Sequence, residues 1–392
     1  MERTVAVAYY PEGAGHATRM LAVAKALEAR GTGIALAGGG PGAEYVEHNG
    51  YEQFTPTPVE FIADYQGRAS VPSGGNGEGK RGDGWSAGSD ERVRSDDSNA
   101  GTVGTTAMAG GRVTADGWTA LVDGELGRFG GRRVGVAEET GSLARVLTRS
   151  LPHSAERVYD YAGWLRDLRP DAIVTDDMFA AMAAPLTDTR LFVLTHNASS
   201  YYDAVIERIF TWLLNRYQLR AAGAFLYPAI WPHDPGDPPG VTRVPPVALE
   251  PTGVERVAED VGVLLVPSTY STGFDELAGA LRAHGRTVTL VGDGEWECVS
   301  AMLPYVRAAD TVVCSGYSTV MEAAVGGTPC VIWPFTDEQH GFTRVIERTG
   351  VPGFQVEHSI PHVLRAVRQP PEAPRYENGA TRVAGFVGDR LD

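Results

Sequence analysis

Lysine is almost missing from the sequence. Only Lys25 and Lys80 occur among 392 residues, and arginine supplies the rest of the 34 basic residues against 49 acidic ones, for a net charge of −15. This balance argues against a nucleic-acid partner and against a general attraction to anionic membranes. An acidic excess with scarce lysine is typical of a high-salt cytoplasm, although a GC-rich genome would also exchange lysine for arginine. We expect a halophilic, cytoplasmic protein of haloarchaeal origin.

Cysteine and long apolar runs are scarce too. The three cysteines, Cys298, Cys314 and Cys330, form no Cys-x-x-Cys pair, and two of them lie in predicted buried strands. They are typical of small core residues in a reducing compartment. No apolar run reaches the roughly 20 residues that a membrane-spanning helix needs. The chain begins directly with a strand, which predicts no signal peptide.

Several catalytic patterns are also absent. No group of histidines and cysteines has zinc-ligand spacing, no Asp-x-Asp stands in a setting that suggests a metal-bound diphosphate, and no Gly-x-Ser-x-Gly motif marks a nucleophilic serine. The first glycine turn, Gly13-x-Gly15-x-x-Thr18, lacks the third glycine of a dinucleotide site. We therefore expect no metal and no cofactor.

Short buried strands alternate with helices in two stretches of the chain. A strand at 4–10, a glycine turn and a helix at 16–30 open the first stretch. A second stretch begins with a strand at 261–266, after a proline-rich segment at 235–251 that is typical of a linker. The length suits two α/β domains. We predict an N-terminal Rossmann-like domain at 1–240 and a C-terminal one at 252–392.

The segment 68–140 differs in composition from both domains. It is rich in Gly, Ser, Asp and Arg and has few aliphatic residues and no sustained periodicity. Such a composition cannot offset the entropy lost on ordering. The segment is interpreted as an insertion or a long disordered loop, with a small β appendage at 111–136 as the alternative.

The stretch 311–340 carries the most specific pattern, TVVCSGYSTVMEAAVGGTPCVIWPFTDEQH. It predicts a buried strand, a small-residue turn, a helix, a second strand and a polar loop. In open α/β sheets ligands bind where the strands end, and a helix N-terminus suits a phosphate. Glu322, about one turn into the helix, could reach the ribose hydroxyls. The alternative is that Thr319-x-x-Glu322 is only a capping box.

This stretch resembles the donor-binding segment of GT-B glycosyltransferases that use nucleotide sugars, including the plant-type, macrolide-type and family 28 enzymes. The matching residues are Gly316, Thr319, Glu322, Gly327, Pro329, Pro334, Glu338 and Gln339. Cys314 stands where many relatives have a histidine that helps to hold the diphosphate. Backbone groups and hydroxyls must then make that contact, or it is absent.

The resemblance implies the GT-B fold, in which two Rossmann-like domains face a central crevice. It implies transfer of a hexose-type sugar from a UDP- or dTDP-sugar to an acceptor hydroxyl, with inversion and without metal. Further residues expected to bind the donor are Ser271, Thr272 and Ser318. The alternative for Thr272 is an ordinary helix cap with Asp275.

The same resemblance suggests a catalytic pair. The piece 12–17 is similar to the Gly-x-His segment that carries the base in plant-type enzymes, which implies that His16 accepts the acceptor proton. An aspartate at a strand end orients that histidine in those enzymes, and Asp176 matches its position. As alternatives, His16 could be a cap, a solvated residue or a binding residue, and Asp176, next to Asp177, could cap the following helix.

Three rival functions remain open from the sequence. A UDP-sugar epimerase on the same fold would need several acids and a histidine around the sugar carbon, which the chain does not clearly show. A non-catalytic nucleotide-sugar-binding protein and a structural scaffold are the other two.

The acceptor is expected to be a small molecule or lipid-linked. A helix at 206–217 has an apolar face, and an aromatic segment follows at 225–231. Such a face predicts a core helix under the first domain. Alternatively, part of this surface stays exposed at the crevice mouth, contacts a membrane peripherally and receives a lipid-linked acceptor. If the aromatic side chains from Phe225 to Trp231 are all buried in the first domain, the second hypothesis loses its motivation.

Overall fold

The structure is a computed structural model that describes residues 3–58, 151–253, 257, 261–292 and 296–391. The predicted insertion at 68–140, with its alternative β appendage, lies outside the described residues. The described residues belong to one compact unit of the chain, which contains two parallel β-sheets.

The N-terminal sheet has seven parallel strands in the order β3-β2-β1-β4-β5-β6-β7. Their bounds are β1 Thr4–Ala8, β2 Gly33–Ala37, β3 Gln53–Phe54, β4 Ala172–Thr175, β5 Arg190–Leu194, β6 Ala224–Pro228 and β7 Thr242–Val244. Strand β1 lies inside the sheet and pairs Val5 with Ile34 of β2 on one side and with Ala172 of β4 on the other. Its short run of valine and alanine is buried because helices cover both faces of a parallel sheet.

Helices connect these strands. They are α1 Ala14–Glu28, α2 Ala43–His48, α3 Leu151–Leu168, α4 Met178–Ala183 and α5 Val205–Ala221, with 3-10 turns at Gly40–Gly42, Ala184–Thr187 and Ser199–Tyr201. Asp177 begins α4, because its side chain accepts hydrogen bonds from the backbone N–H groups of Phe179 and Ala180. The alternative role considered for Asp176, capping the following helix, is therefore filled by its neighbour Asp177.

The C-terminal sheet has five parallel strands in the order β12-β11-β10-β8-β9. Their bounds are β8 Val263–Val266, β9 Val288–Leu290, β10 Thr311–Cys314, β11 Cys330–Ile332 and β12 Phe354–Val356. The helices are α6 Phe274–Ala283, α7 Leu303–Ala308, α8 Tyr317–Gly326, α9 Asp337–Thr349 and α10 Ile360–Arg368. The strand–turn–helix–strand pattern predicted for 311–340 is confirmed.

The last helix, α11 Ala380–Leu391, crosses back to the N-terminal domain. Its residues Val383, Ala384 and Val387 share a buried cluster with Met20 and Leu27 of α1. Strand β7 lies inside the proline-rich segment predicted as a linker and pairs with β6 of the N-terminal sheet. Three residues between the prolines therefore extend the N-terminal sheet past residue 240.

The prediction that the apolar face of the helix at 206–217 is buried in the core is wrong. The buried side chains of α5 are polar: Thr211, Asn215 and Gln218. Its large apolar side chains are instead exposed, namely those of Val205, Ile206, Ile209, Phe210, Trp212, Leu213 and Tyr217. The aromatic segment that follows shows the opposite, because Phe225, Tyr227 and Trp231 are buried around β6. The aromatic segment therefore gives no support to the hypothesis of a lipid-linked acceptor. None of the helices in the described ranges is long and apolar enough to cross a membrane.

The order of strands reverses between β1 and β4 in one sheet and between β8 and β10 in the other. At such a reversal the connections leave in opposite directions, which opens a crevice beyond the carboxyl ends of the strands. The turns that follow these four strands carry the candidate residues described next.

Candidate active site

His16 and Asp176 meet beyond the N-terminal sheet. Asp176 directly follows β4, and His16 lies in the first turn of α1. Nδ1 of His16 lies 2.8 Å from Oδ2 of Asp176. The Asp176 side chain is fully buried and that of His16 is 30% exposed. The backbone N–H of Tyr10 donates to Oδ1 of Asp176 at 2.9 Å, which fixes the carboxylate. The structure thus brings together the two residues predicted to be catalytic.

Arg19 completes this pair, and the sequence analysis missed it. Its buried guanidinium donates through Nη2 to Oδ2 of Asp176, and Nη2 lies 3.1 Å from Nδ1 of His16. A nitrogen 2.8 Å from a carboxylate oxygen needs a hydrogen between them, so Nδ1 of His16 carries a proton toward Asp176. Burial alone would raise the pKa of Asp176, but the charges and hydrogen bonds of His16 and Arg19 lower it below its usual value.

His196, just after β5, links the two sheets. Its Nε2 lies 2.9 Å from Oε1 of Glu338, in the first turn of α9. On its other side, Nη1 of Arg19 lies 3.3 Å from Nδ1 of His196. The imidazole also stacks on Tyr317 of α8, with the ring centroids 4.4 Å apart. Arg19, His196 and Glu338 therefore form one hydrogen-bonded row from α1 to α9.

The pKa shifts in this row agree with a neutral histidine beside a charged carboxylate. Burial lowers the pKa of His196, and the contact with Glu338 only partly offsets it. Burial would raise the pKa of Glu338, but the hydrogen bond from His196 and nearby positive charges lower it. His196 then accepts from Arg19 at Nδ1 and donates from Nε2 to Glu338.

The turns after β8 and β10 form a cluster of hydroxyls. Oγ of Ser271 lies 2.7 Å from Oγ of Ser315 and 3.0 Å from Oγ of Ser268. The backbone N–H of Ser268 also donates to both Ser271 and Ser315. Ser271 is thus held in a hydrogen-bonded turn, whereas the neighbouring Thr272 is exposed. Helix α6 begins after Gly273 with no side-chain cap, so the alternative cap by Thr272 and Asp275 is wrong.

The side chain of Gln339 makes hydrogen bonds that stabilise the start of α9. Its Oε1 accepts from the backbone N–H groups of Phe335 and Thr336, which forms a capping box at the start of α9. Its Nε2 donates to Oγ of Ser268 at 3.2 Å. Gln339 therefore fixes the loop that carries Glu338 against the turn after β8.

The first turn of α1 touches the first turn of α8. A Cβ added at Gly15 would lie 2.3 Å from Oγ of Ser318, so only glycine allows this approach. Gly316 precedes α8 without a side-chain cap, and Thr319 is buried within the helix. The predicted capping box of Thr319 and Glu322 does not form, so that alternative is wrong.

Glu322 is a buried carboxyl without an ion-pair or hydrogen-bond partner among the described residues. Its residue exposure is only 5%. Burial raises its pKa to about 8, so that the group is neutral at pH 7. A buried carboxyl left without a partner is costly and is available for a ligand's hydroxyl groups.

Cys314 lies where many relatives have histidine. Its side chain is buried, and its Sγ lies 3.6 Å from Sγ of Cys330 on the adjacent strand. The hydrogen bond with Cys330 raises the pKa of the Cys314 thiol, and burial raises it further. A neutral thiol buried inside the sheet is not placed to contact a ligand at the strand ends.

Glu12 and Tyr270 form a second link between the turns. The Tyr270 hydroxyl donates to Oε1 of Glu12 at 2.8 Å. Burial raises the pKa of Glu12, and the bond from Tyr270 offsets part of that rise.

The spacing of Arg19, three residues after His16, could have indicated its position on the same helix face. Nothing in the sequence pairs His196 with Glu338, or Glu12 with Tyr270.

Solved glycosyltransferase structures are similar to this one. SsfS6 from Streptomyces sp. SF2575 aligns with a TM-score of 0.54 and 12% identity, covering 99% of this chain and 100% of that one. Its complex with thymidine diphosphate aligns with a TM-score of 0.53 and 12% identity over the same shares. MurG from Acinetobacter baumannii aligns with a TM-score of 0.52 and 13% identity, over 99% of this chain and 100% of that one.

No family model matches the sequence, and no curated protein sequence matches it. The structural similarities and the two parallel sheets show that the chain is an α/β protein with the GT-B fold, as predicted from its sequence. The similarities give no support to a haloarchaeal origin, which stays a prediction. The domain boundaries at 240 and 252 also stay predictions.

Proposed function

We propose that this protein is a glycosyltransferase that moves a hexose-type sugar from a UDP- or dTDP-sugar to an acceptor hydroxyl. The observation that carries the proposal is the contact of His16 with Asp176 at the strand reversal of one sheet, with the hydroxyl-lined turns of the other sheet next to it. This arrangement offers a base on one side and a phosphate-binding turn on the other. The solved complex of SsfS6 with thymidine diphosphate supports a nucleotide donor by analogy of fold.

The base is Nε2 of His16. It takes the proton of the acceptor hydroxyl while the acceptor oxygen forms a bond to the anomeric carbon. The bond from that carbon to the diphosphate oxygen breaks at the same time, and its electron pair stays on the leaving diphosphate. Asp176 keeps the imidazole in the reactive tautomer and stabilises the positive charge that develops. Attack from the side opposite the leaving group inverts the anomeric configuration.

The donor is held by the C-terminal sheet. The N-terminus of α8, with Gly316, Ser318 and Thr319, faces the diphosphate, and its positive end stabilises the leaving group. Ser271 and Thr272 provide hydroxyls from the turn after β8. Glu322 receives the ribose hydroxyls. Glu338 and Gln339 hold the sugar, and no metal takes part in the steps assigned to these residues.

A screen of nucleotides and nucleotide sugars by thermal shift in molar KCl tests this function, because a ligand of the native state raises the melting temperature. UDP, dTDP or one of their sugars should stabilise the protein, and NMR should detect an inverted glycoside with the sugar donor and an acceptor. His16→Asn should retain nucleotide binding and lose transfer. A protein that none of these ligands stabilises would contradict the proposal.

One observation favours a second candidate, a UDP-sugar epimerase. The structure places Arg19, His196 and Glu338 in one row beside His16 and Asp176, so two histidines and two carboxylates gather near the crevice. An epimerase would change the donor without any acceptor and would exchange a carbon-bound hydrogen with solvent. Incubation of the stabilising UDP-sugar in D2O separates the two: deuterium in the recovered sugar indicates an epimerase, and an unlabelled donor favours transfer.

A further inference from the structure

Helix α5 exposes its large apolar side chains and buries polar ones, which is the reverse of the usual arrangement for a helix at a protein surface. Its exposed apolar side chains include Ile209, Phe210, Trp212 and Leu213, each about half exposed at 50–53%. Seven of the nine exposed large hydrophobic residues in the described part of the chain lie on this one helix. Single exposed hydrophobic residues need no explanation, but a contiguous patch marks an interaction surface.

The buried side of α5 does not explain this orientation. Asn215 donates one hydrogen bond, from Nδ2 to the backbone oxygen of Asn197 at 3.2 Å. The buried amide oxygens of Asn215 and Gln218 have no hydrogen-bond partner among the described residues. Unpaired buried amide oxygens cost free energy, and burying the apolar side would lower it. Stability of the isolated protein therefore does not select this orientation.

The charges on α5 indicate the partner. Its exposed charged residues are Arg208, Arg216 and Arg220, while its single acid, Glu207, is half-buried. This helix thus carries an excess of positive charge in a chain whose net charge is −15. The guanidinium of Arg216 lies over the ring of Trp212, 5.4 Å from its centroid. Arginine beside exposed tryptophan and leucine is the pattern of helices that lie in the interface of anionic membranes.

The helix is also joined to the candidate active site. Asn197, which accepts the bond from Asn215, follows His196 directly, and the hydroxyl of Tyr202 donates to its side chain at 3.2 Å. The segment from His196 to the start of α5 is therefore fixed on one side to the row that ends at Glu338. The buried side of α5 is therefore bonded to a segment that begins at a candidate site residue, while its opposite side is exposed.

We propose that the exposed face of α5 seats the protein on an anionic lipid surface, so that the acceptor hydroxyl belongs to a membrane-embedded lipid. The membrane contact stands on the exposed face and its arginines, and the acceptor class rests on the proposed glycosyltransferase function. The apolar side chains enter the boundary between headgroups and acyl chains, while the three arginines pair with lipid phosphates.

Flotation with vesicles tests the membrane contact separately from activity. The wild type should float with phosphatidylglycerol-containing vesicles, less with pure phosphatidylcholine, and less in molar KCl because salt screens the arginines. The double variants Ile209→Gln/Leu213→Gln and Arg208→Gln/Arg216→Gln should each lower the partition coefficient about tenfold or more. The matched controls Tyr159→Gln and Arg166→Gln alter exposed residues of α3 and should float like the wild type.

Fluorescence locates the contact. Anionic vesicles should shift the tryptophan emission of the wild type to shorter wavelength, and Trp212→Phe should remove most of that shift. Each variant is checked for an unchanged melting temperature and unchanged binding of UDP or dTDP. Loss of vesicle binding with nucleotide binding retained then tests this inference without testing the proposed function.

Two results would overturn the inference. One is a folded wild type that ignores anionic vesicles at every salt concentration. The other is a dimer by sedimentation that the α5 variants convert to a monomer, since a second copy would then cover the face.

Discussion

Nε2 of His196 lies 2.9 Å from Oε1 of Glu338, so a residue that follows a strand of the N-terminal sheet is bonded to the first turn of α9 beside the C-terminal sheet. The two residues are 142 positions apart in the chain. This bond makes the position of Glu338, a residue expected to hold the donor sugar, depend on the other half of the protein.

His196→Phe should keep the stacking on Tyr317 and remove both hydrogen bonds of the imidazole. Glu338 then loses the donor that lowers its pKa, and the buried guanidinium of Arg19 loses an acceptor. We expect a loss of about 1–3 kcal/mol in the free energy of unfolding. The KM for the nucleotide sugar should rise while the affinity for UDP alone stays unchanged. His196→Gln, which can still donate, should recover part of the sugar affinity; equal defects in both variants would assign the residue a packing role only.

His16→Asn and Asp177→Asn should have opposite effects. His16 is partly exposed, so its replacement should change stability little but lower the rate of transfer about 10²–10⁴-fold. Asp177 accepts from Arg157 at 2.6 Å and from Tyr161 at 2.8 Å, with all three side chains buried. Removing this charge should cost about 3–5 kcal/mol of stability and spare the activity per folded molecule. Denaturant unfolding and single-turnover kinetics on both variants measure the contrast.

Glu322 should make stability depend on pH. Its pKa of about 8 in the folded state lies well above that of an exposed glutamate, so the folded state binds the extra proton between these two values. Stability from this group is complete below the unfolded pKa and falls as the pH rises to about 8, by roughly 3–5 kcal/mol at most. Glu322→Gln should remove this slope in thermal melts recorded between pH 5 and 9.

Glu322 should also affect nucleotide binding. Ribose hydroxyls donate to the ionised carboxylate, so UDP should bind more tightly as the pH rises toward 8. Glu322→Ala should weaken UDP binding by about 1–3 kcal/mol, measured by calorimetry. A folded variant with unchanged UDP affinity would remove the ribose role, and the failed capping box would leave Glu322 without an assigned role.

Gly15→Ala should separate the two turns that meet at the crevice. Alanine normally stabilises a helix relative to glycine by about 1 kcal/mol. Here its Cβ would lie 2.3 Å from Oγ of Ser318, so we expect weaker binding of UDP or dTDP and slower transfer. The control is Gly13→Ala, whose added Cβ meets nothing within 4 Å. Ser318→Gly combined with Gly15→Ala should restore binding if this contact is the cause.

Salt should stabilise the protein. The excess of 49 acidic over 34 basic residues produces self-repulsion that high ionic strength screens. We expect the melting temperature to rise steadily from low to molar KCl and to rise less in a variant with several exposed acids changed to glutamine. A melting temperature that is highest at low salt would contradict a halophilic origin.

The amino-acid sequence by itself determined the alternation of strands and helices. Runs such as Thr4–Ala8 and Thr311–Cys314 are too short and too apolar for anything but buried strands, and glycine turns follow them. The pairing of His16 with Asp176 came from the resemblance to plant-type glycosyltransferases and not from the strand pattern, and the structure brings the two side chains together. Local chemistry was enough for the strands, turns and helices, since each depends on neighbours in the chain.

Tertiary structure decided what depends on burial and on distant partners. The caps considered at Thr319 and Thr272 do not form, because α8 begins after Gly316 and α6 after Gly273, both without a side-chain cap. The bond between His196 and Glu338 requires both sheets to be in place. The orientation of α5 could not be predicted either, because an amphipathic pattern identifies two faces of a helix but not which of them the rest of the protein covers.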